Sequence, residues 1–251
     1  MTSGPDTDPR VAVVSGAGSG IGHAVAVALA AQGVRVGCLD LDEAAASAAA
    51  DALPGAIPLV ADVRDTAAVD RAVDELAQHA GRVDVAVACA GIEQHGTGHD
   101  LDLAVYQRIQ DVNVLGSLNL ARAAARRMVE GGRGGRIVLI GSINSQVSLP
   151  GQVAYATSKG AVLMLGRSLA VDFAADAITV NVIGPGITDT PMSAVSLADP
   201  ERSRRILERV PLGRAADPSE IAAAVAFLAS PEASYITGAY LPVDGGWLAL
   251  G

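Results

Sequence analysis

The residues of this chain with the clearest chemical potential are Tyr155 and Lys159, because Lys159 is the only lysine in a chain that otherwise uses arginine. Residues four apart lie on one face of a helix, with their Cβ atoms about 5–6 Å apart. An ammonium about 4 Å from a phenolate interacts with it by about 4 kcal/mol at an effective dielectric constant of about 20. That interaction would lower the phenol pKa from about 10 to about 7, where a proton-transfer group works best. The alternative is an exposed tyrosine and a solvated lysine on one helical turn.

The composition indicates a soluble protein rather than a nucleic-acid or membrane protein. The chain has 251 residues, 50% of them hydrophobic, and a formal net charge of -9, whereas nucleic-acid binding favours a basic face. This length fits one large α/β domain or two small ones, and because no linker is evident we expect a single domain over 1–251 with a flexible tail at 1–8. With no signal-peptide core and no membrane-length apolar run, a cytoplasmic protein without membrane contact is predicted.

Short apolar runs alternate with alanine-rich helical patterns along the chain. Predicted strands lie at 11–15, 34–40, 57–61, 83–88, 136–141, 179–183 and 239–243, and predicted helices at 21–32, 42–53, 65–79, 103–130, 153–175 and 218–229. This alternation predicts an α/β fold: a Rossmann-type, doubly wound parallel sheet of about seven strands with helices on both faces. Ligands of such sheets bind at the carboxyl ends of the strands.

A glycine-rich segment joins the first predicted strand to the first predicted helix. It contains Gly16, Ser19, Gly20, Ile21 and Gly22. Glycines let the backbone turn tightly and approach a ligand, and the free N–H groups of the following helix attract a pyrophosphate. In this strand–turn–helix context the segment predicts a dinucleotide site; the alternative is a glycine turn needed only for packing.

The second predicted strand ends at Asp40, about twenty residues after the glycine segment. A carboxylate there accepts hydrogen bonds from ribose hydroxyls and repels the additional phosphate of NADP. The nearest preceding arginine, Arg35, lies at the other end of the strand. NAD is therefore the expected cofactor, and NADP the less favoured one. A helix cap is the alternative role for Asp40, although Asp42 is better placed for it.

These motifs together resemble the short-chain dehydrogenase/reductase family over roughly residues 8–251. The resemblance rests on Gly16-x3-Gly20-x-Gly22, Asn113, Ser142 and Tyr155-x3-Lys159, in that order and at those separations.

The resemblance implies a role for each catalytic residue. Tyr155 would be the acid–base group, and Lys159 would lower its pKa and bind the nicotinamide ribose. Ser142 would hold the substrate oxygen, and Asn113 would kink a helix and position a water for proton relay.

The resemblance also implies the cofactor contacts. Asp62 and Val63 would contact the adenine, and the loop containing Thr188 and Thr190 would hold the nicotinamide carboxamide. The full set is Gly16, Ser19, Gly20, Ile21, Gly22, Asp40, Asp62, Val63, Ala90, Gly91, Asn113, Tyr155, Lys159, Pro185, Gly186, Thr188 and Thr190.

The chain departs from the family pattern at Cys89. The family has asparagine here, in an Asn-Ala-Gly segment that braces the central sheet beside the cofactor, whereas this chain has Cys89-Ala90-Gly91. A thiol hydrogen-bonds only weakly, so this brace is in question while the chemistry is not. A small buried side chain is the expected role of Cys89.

Residues expected to line the substrate site are Ile143, Asn144, Gln152, Ile187 and the segment from Met192 to Leu197, and further candidates are Glu93, Gln94 and His95. No metal is expected: His95 and His99 lie in a glycine-rich loop that does not fix ligand geometry. A cluster of arginines is expected to form a solvated helix face paired with Glu201 and Glu208. The cluster consists of Arg202, Arg204, Arg205 and Arg209. The alternative for these arginines is recruitment of an acidic carrier protein.

The implied activity is NAD-dependent interconversion of a ketone and a secondary alcohol, polyol, sugar or cyclic alcohol. Two alternatives stay open: a 3-oxoacyl-[acyl-carrier-protein] reductase, and a non-catalytic dinucleotide sensor. A silent relative would be expected to lose one of Asn113, Ser142, Tyr155 and Lys159, and all four are present. The expected partners are a small-molecule substrate and identical subunits in a homotetramer.

Overall fold

The computed structural model describes residues 9–250, so the predicted tail at 1–8 lies outside the described residues. The described strands are β1 (Val11–Ser15), β2 (Arg35–Asp40), β3 (Ile57–Val60), β4 (Val85–Ala88), β5 (Gly135–Ile140), β6 (Ile178–Pro185) and β7 (Tyr240–Val243). All of them pair in parallel, in the order β3-β2-β1-β4-β5-β6-β7. Because β1 pairs with both β2 and β4, the strand order reverses between β1 and β4, and a crevice opens there at the carboxyl ends.

The helices connect successive strands. They are α1 (Gly20–Ala31), α2 (Glu43–Asp51), α3 (Thr66–Ala80), α4 (Leu103–Gln110), α5 (Gly116–Gly131), α6 (Val153–Asp172), α7 (Ala194–Ala198), α8 (Pro200–Leu207) and α9 (Pro218–Leu228). Across residues 9–250, every helix is too short or too polar to span a lipid bilayer.

Alternation along β1 divides the core into two layers. Val11 and Val13 belong to the cluster that packs under α3, α5 and α6. Ala12 and Val14 belong to the cluster under α1, α2 and α9. Successive strand side chains point to opposite faces of a sheet, so both faces are apolar and both are covered by helices. The predicted doubly wound α/β fold is confirmed.

The helix predicted over 103–130 is interrupted at its centre, where the family resemblance implied a kink at Asn113. Residues Asp111–Leu115 form a π-helical turn between α4 and α5. Asn113 lies in this turn, and its side chain bonds to Ile92 and Ser158, on a neighbouring loop and on α6. Hydrophobic periodicity does not reveal such a turn because it depends on contacts distant in sequence.

Helix α7 was not predicted, and α8 was expected only as the helix face that carries Arg202, Arg204, Arg205 and Arg209, without bounds. Asp199 caps α8 by accepting hydrogen bonds from the backbone N–H groups of Glu201 and Arg202, and Pro200 occupies the first turn. An Asp-Pro pair of this kind is a helix-start signal, so the sequence contained the information. The same signal, Asp217-Pro218, correctly marks the start of α9.

Candidate active site

A cavity of about 530 Å³ lies at the carboxyl ends of β1, β4, β5 and β6. Its walls are the glycine segment before α1, the residues that follow β4 and β5, helix α6 and the loop after β6. Most of the predicted catalytic and cofactor residues line it. Four of the predicted residues lie outside its lining: Asp40, Asp62, Val63 and Asn113.

Tyr155 and Lys159 lie on one face of α6 and both line the cavity, as their spacing predicted. The Lys159 Nζ lies 5.5 Å from the centre of the Tyr155 ring. It also donates a hydrogen bond of 2.8 Å to the backbone carbonyl of Ile140, at the end of β5. This bond fixes the buried ammonium between the sheet and the phenol.

The predicted lowering of the Tyr155 pKa is wrong for the cleft without a bound dinucleotide. Burial raises the pKa of Tyr155 above its ordinary value, the Glu93 carboxylate acts in the same direction, and a hydrogen bond with Ser142 opposes them. Burial also lowers the pKa of Lys159 to about 8, against the influence of Cys89 and Glu93. Both shifts have one cause, because a desolvated site disfavours the charged form of each group.

Ser142 follows β5 and shares a hydrogen bond with the Tyr155 hydroxyl. Its Oγ accepts from the backbone N–H of Asn144 at 3.1 Å, and its own N–H donates to Ser145 Oγ at 3.2 Å. Ser145 Oγ in turn donates to the backbone carbonyl of Lys159 at 2.9 Å. The turn after β5 and helix α6 are thereby tied together around the serine and tyrosine hydroxyls.

Asn113 is fully buried and cross-links three elements. Its Oδ1 accepts from the Ile92 N–H at 2.8 Å, and its Nδ2 donates to the Ile92 carbonyl at 3.0 Å and to Ser158 Oγ at 2.9 Å. A β-carbon on Gly91 would lie 3.3 Å from Asn113 Oδ1 and 3.6 Å from Lys159 Nζ. The asparagine therefore stands beside the lysine and holds the loop after β4 against α6.

Ser15 joins the end of β1 to the segment that contains Cys89. The Ser15 Oγ, at the end of β1, accepts from the backbone N–H groups of Cys89 and Ala90, both at 3.2 Å. Burial raises the pKa of the Cys89 thiol to about 12, although nearby Lys159 lowers it. The thiol is therefore neutral near pH 7, as expected of a small packing residue.

The glycine segment is closely fitted. A β-carbon on Gly22 would lie 2.1 Å from the Gly16 carbonyl oxygen, and Gly16 and Gly20 adopt positive φ angles of 66° and 53°. In the described structure Ser19 precedes α1 without making a side-chain cap bond, so the first N–H groups of the helix stay available to an anion. The segment fits the pyrophosphate of a dinucleotide.

The two acidic residues expected near the adenosine are held by backbone and side-chain contacts. Asp40 Oδ2 accepts from the Gly18 N–H at 2.9 Å, which joins the end of β2 to the glycine segment. The helix cap of α2 is Asp42, as expected. Asp62 pairs with Arg64 at 2.6 Å, so an adenine contact at Asp62 would share its carboxylate with that guanidinium.

The substrate end of the cavity contains Ile143, Asn144, Gln152, Ile187 and Met192, as predicted. Of the other candidates, Glu93, His95, Ser193 and Ser196 line the cavity, whereas Gln94, Ala194, Val195 and Leu197 do not. Leu149 and Trp247 also line it and were not predicted. His95 contacts Arg202, whereas His99 lies beside Asp100. Across residues 9–250 there is no cluster of three or more metal-ligating side chains.

Comparison with known proteins assigns the chain to a family. Residues 16–248 match a short-chain dehydrogenase family model described as Enoyl-(Acyl carrier protein) reductase. The chain belongs to the short-chain dehydrogenase/reductase family. As a member of this family it is an oxidoreductase that binds a nicotinamide dinucleotide.

Relatives of this short-chain dehydrogenase/reductase act on alcohols of several kinds. It is 41% identical to galactitol 2-dehydrogenase (L-tagatose-forming) from Cereibacter sphaeroides, over 96% of this chain and 95% of that protein. It is also 41% identical to cis-4-hydroxycyclohexanecarboxylate dehydrogenase from Sinomonas cyclohexanicum, over 96% and 97%. A gluconate 5-dehydrogenase from Burkholderia cenocepacia J2315, solved with NADP and tartrate, superposes with a TM-score of 0.92 at 32% identity and 96% coverage of both chains.

One positioning contact of this short-chain dehydrogenase/reductase has no local sequence signal. Tyr240, on β7, donates from its hydroxyl to the Ser142 backbone carbonyl at 2.7 Å. The ring needs the space over Gly184, where a β-carbon would lie 2.1 Å from the Tyr240 hydroxyl oxygen. The last strand therefore helps to position Ser142, although Tyr240 lies 98 residues away from it in sequence.

Replacing Tyr240 with phenylalanine is expected to lower the free energy of unfolding by about 1 kcal/mol. We also expect kcat to fall about threefold to tenfold with KM nearly unchanged, because the Ser142 carbonyl loses its donor while the ring still fills the space over Gly184. Thermal melts and steady-state kinetics would measure both effects. Wild-type kcat in this variant would contradict the positioning role.

Proposed function

We propose that this protein oxidises a secondary alcohol, such as a polyol, sugar or cyclic alcohol, to the ketone with NAD, and catalyses the reverse reduction. The observation that carries the proposal is the convergence of Tyr155, Lys159 and Ser142 on one face of a cavity beside the glycine segment. We also propose that residues 1–251 act as one cytoplasmic domain and that four chains form a homotetramer. Mass measurement in solution would test the tetramer.

In the proposed reaction Ser142 and Tyr155 hold the substrate oxygen between their hydroxyl groups. For oxidation, the Tyr155 phenolate accepts the hydroxyl proton; for reduction, the phenol returns it. Lys159, anchored on the Ile140 carbonyl at 2.8 Å, keeps its amine beside the phenol. Bound nicotinamide supplies the hydride acceptor or donor and, when oxidised, a positive charge.

The ionisation of the isolated cleft supports this division of roles. Because burial raises the pKa of Tyr155, the resting tyrosine is a neutral acid, which suits protonation of a ketone. Oxidation needs the phenolate, and an added positive charge favours it. We therefore expect kcat/KM for oxidation to rise with pH more steeply than kcat/KM for reduction falls, and pH profiles in both directions would measure this.

The proposed preference for NAD rests on Asp40, whose carboxylate is held against the Gly18 N–H. In the variant Asp40→Asn, one side-chain oxygen still accepts this bond, but the negative charge is lost. We expect the Kd for NADP to fall about tenfold and the Kd for NAD to rise by a similar factor. Calorimetric titration with each dinucleotide would measure this without any substrate.

Asp42→Asn is the matched control for that experiment. It removes a charge two residues away while keeping the cap of α2, because asparagine caps helices as well as aspartate does. Its ratio of NAD to NADP affinity should stay within about twofold of the wild-type ratio. Equal shifts in both variants would mean that Asp40 has no specific role in choosing the cofactor.

A second candidate function is reduction of a 3-oxoacyl group on an acyl carrier protein. Two observations favour it: the chain is 38% identical to the 3-oxoacyl-[acyl-carrier-protein] reductase of Escherichia coli, over 94% of this chain and 96% of that protein, and α8 carries several arginines. A sensor without catalysis is less favoured, since Asn113, Ser142, Tyr155 and Lys159 are all retained. The test is a screen for NAD and NADP reduction with secondary alcohols and polyols, and for NADH and NADPH oxidation with a 3-oxoacyl thioester. The proposed function predicts that the alcohols are oxidised with NAD. Reduction of the thioester without oxidation of any alcohol would overturn the proposal.

A further inference from the structure

One face of the α8 segment turns arginines toward the cavity. Arg202, Arg205 and Arg209 line it, together with Ile206. Their spacing of three and four residues puts them on one side of a helix, and the N–H of Arg209 continues the turn by bonding to the Ile206 carbonyl. Arg204 is outside the cavity lining and pairs with Glu208.

The predicted solvated face with glutamate partners is therefore correct for only part of this segment. Arg205 lies 3.7 Å from Glu201, but Arg202 instead donates to His95 Nε2 at 2.9 Å. Within residues 9–250, neither Arg202 nor Arg209 has a carboxylate at salt-bridge distance. Arg202 nevertheless interacts electrostatically with Asp199, so among the described arginines of this face Arg209 is the one without an acidic partner.

Arg209 is held in a way that leaves its donors free. Its guanidinium lies over the Trp247 ring, 4.8 Å from the ring centre. Trp247 is 5% exposed and packs in a small apolar cluster with Ile143 and Val210, so the platform is fixed. A stacked guanidinium keeps its N–H edge open for a bidentate anion.

The platform also connects to the reacting end of the cavity. Ile143, which packs in the cluster of Trp247, directly follows Ser142. The Trp247 Nε1 and Gln152 Oε1 atoms are buried without hydrogen-bond partners, and both residues line the cavity. Buried polar atoms of this kind call for a ligand or water.

Charge is distributed unequally between the two ends. Among the described residues that line the cavity, Glu93 is the only acidic one. It acts on Tyr155 and lies 3.4 Å from Gln152 Nε2 and 3.5 Å from His95 Nε2. Glu93 therefore acts at the reacting end and also reaches Arg202 through the shared His95 Nε2, whereas within the described chain no such contact joins Glu93 to Arg209.

We propose that the substrate is a hydroxy acid whose carboxylate is bound by Arg209, with Arg202 and Arg205 adding positive potential. This inference rests on the proposed function and names its substrate class. A carboxylate placed at Arg209 gains a bidentate partner, whereas a carboxylate placed beside Tyr155 would meet the like charge of Glu93, so the charges favour the hydroxyl end of the molecule reaching Ser142 and Tyr155. A neutral polyol would leave Arg209 without an anionic partner.

Matched acid and methyl-ester pairs test the proposal. The pairs are 3-hydroxybutyrate and cis-4-hydroxycyclohexanecarboxylate, each with its ester, alongside neutral 2-butanol, cyclohexanol and galactitol. Wild-type kcat/KM should be at least about tenfold higher for an acid than for its ester. In Arg209→Gln it should fall about 10- to 100-fold for the acid and stay within about twofold for the ester.

Arg204→Gln is the matched control, because it removes the same charge from the outer face of α8. It should leave kcat/KM for the acids within about twofold of wild type, since its charge is screened by solvent. Arg209→Lys, which keeps the charge but not the fork, should be intermediate. Wild-type KM for the acids should also rise with ionic strength, which a purely structural role for Arg209 would not cause.

The outcomes separate the two proposals. Equal turnover of acid and ester by the wild-type enzyme, turnover of the neutral alcohols alone, or an equal loss for both substrates in Arg209→Gln would overturn the carboxylate site while leaving the dehydrogenase intact. If no alcohol, neutral or acidic, reduces NAD or NADP, the proposed function fails and the substrate class fails with it.

Discussion

Replacing Tyr155 with phenylalanine is expected to lower kcat by about 10³-fold while dinucleotide affinity stays within about twofold of wild type. The ring keeps its packing on α6, but the hydroxyl that exchanges a proton with the substrate is gone. Positioned proton transfer contributes about 10²- to 10⁴-fold to catalysis. Single-turnover kinetics with saturating NAD would measure the loss at the chemical step.

Tyr235 offers a matched control for that variant, since its side chain is fully exposed. Tyr235→Phe removes the same atom from the surface and should leave kcat unchanged. A Tyr155→Phe enzyme within about threefold of wild type, with chemistry shown to limit the rate, would assign the proton transfer to another group.

Replacing Lys159 with arginine should be almost as damaging, although the chain uses arginine for all its other strong cations. The ammonium lies 2.8 Å from the Ile140 carbonyl and close to Gly91, in a space that fits a compact group. A planar guanidinium does not fit the same position. We expect a loss of at least about 100-fold in kcat/KM, with Lys159→Met losing at least as much.

The single lysine also allows a direct measurement of its ionisation. Protein labelled with ¹³C at lysine Cε should give one side-chain signal, and its shift should titrate with a midpoint of about 8 in the absence of cofactor. The sign follows from burial, which disfavours the charged ammonium and so lowers the pKa of Lys159. A midpoint near the ordinary value of 10.5 would mean that water hydrates the amine and that the cleft is more open than described.

The sequence predicts the parts of the site that are local. The glycine segment before α1 and the pair on α6 are each defined by neighbours along the chain, so spacing and periodicity suffice to find them. The strands of the sheet are equally legible because they are buried on both faces and therefore read as apolar runs.

What the sequence leaves hidden depends on contacts between distant segments. The hydrogen bond from Tyr240 to Ser142 spans 98 residues. The kink at Asn113 was expected from the family resemblance alone, because the π-helical turn forms where that side chain reaches Ile92. The pKa of Tyr155 was misjudged for a related reason. Spacing reveals the nearby ammonium of Lys159, whereas the desolvation that outweighs it is visible only once the cavity walls are assembled.

The central claim, that this cavity moves a hydride between an alcohol carbon and nicotinamide, is tested most directly by isotope transfer. The enzyme would be supplied with NAD and secondary alcohols that carry deuterium on the carbinol carbon, including the hydroxy acids above, and the cofactor would be recovered for mass spectrometry. We predict that the wild-type enzyme places one deuterium on each reduced nicotinamide. Tyr155→Phe should do the same, but with kcat lower by about 10³-fold. Ketone formation with an unlabelled reduced cofactor, or no transfer from any alcohol to NAD or NADP, would contradict it.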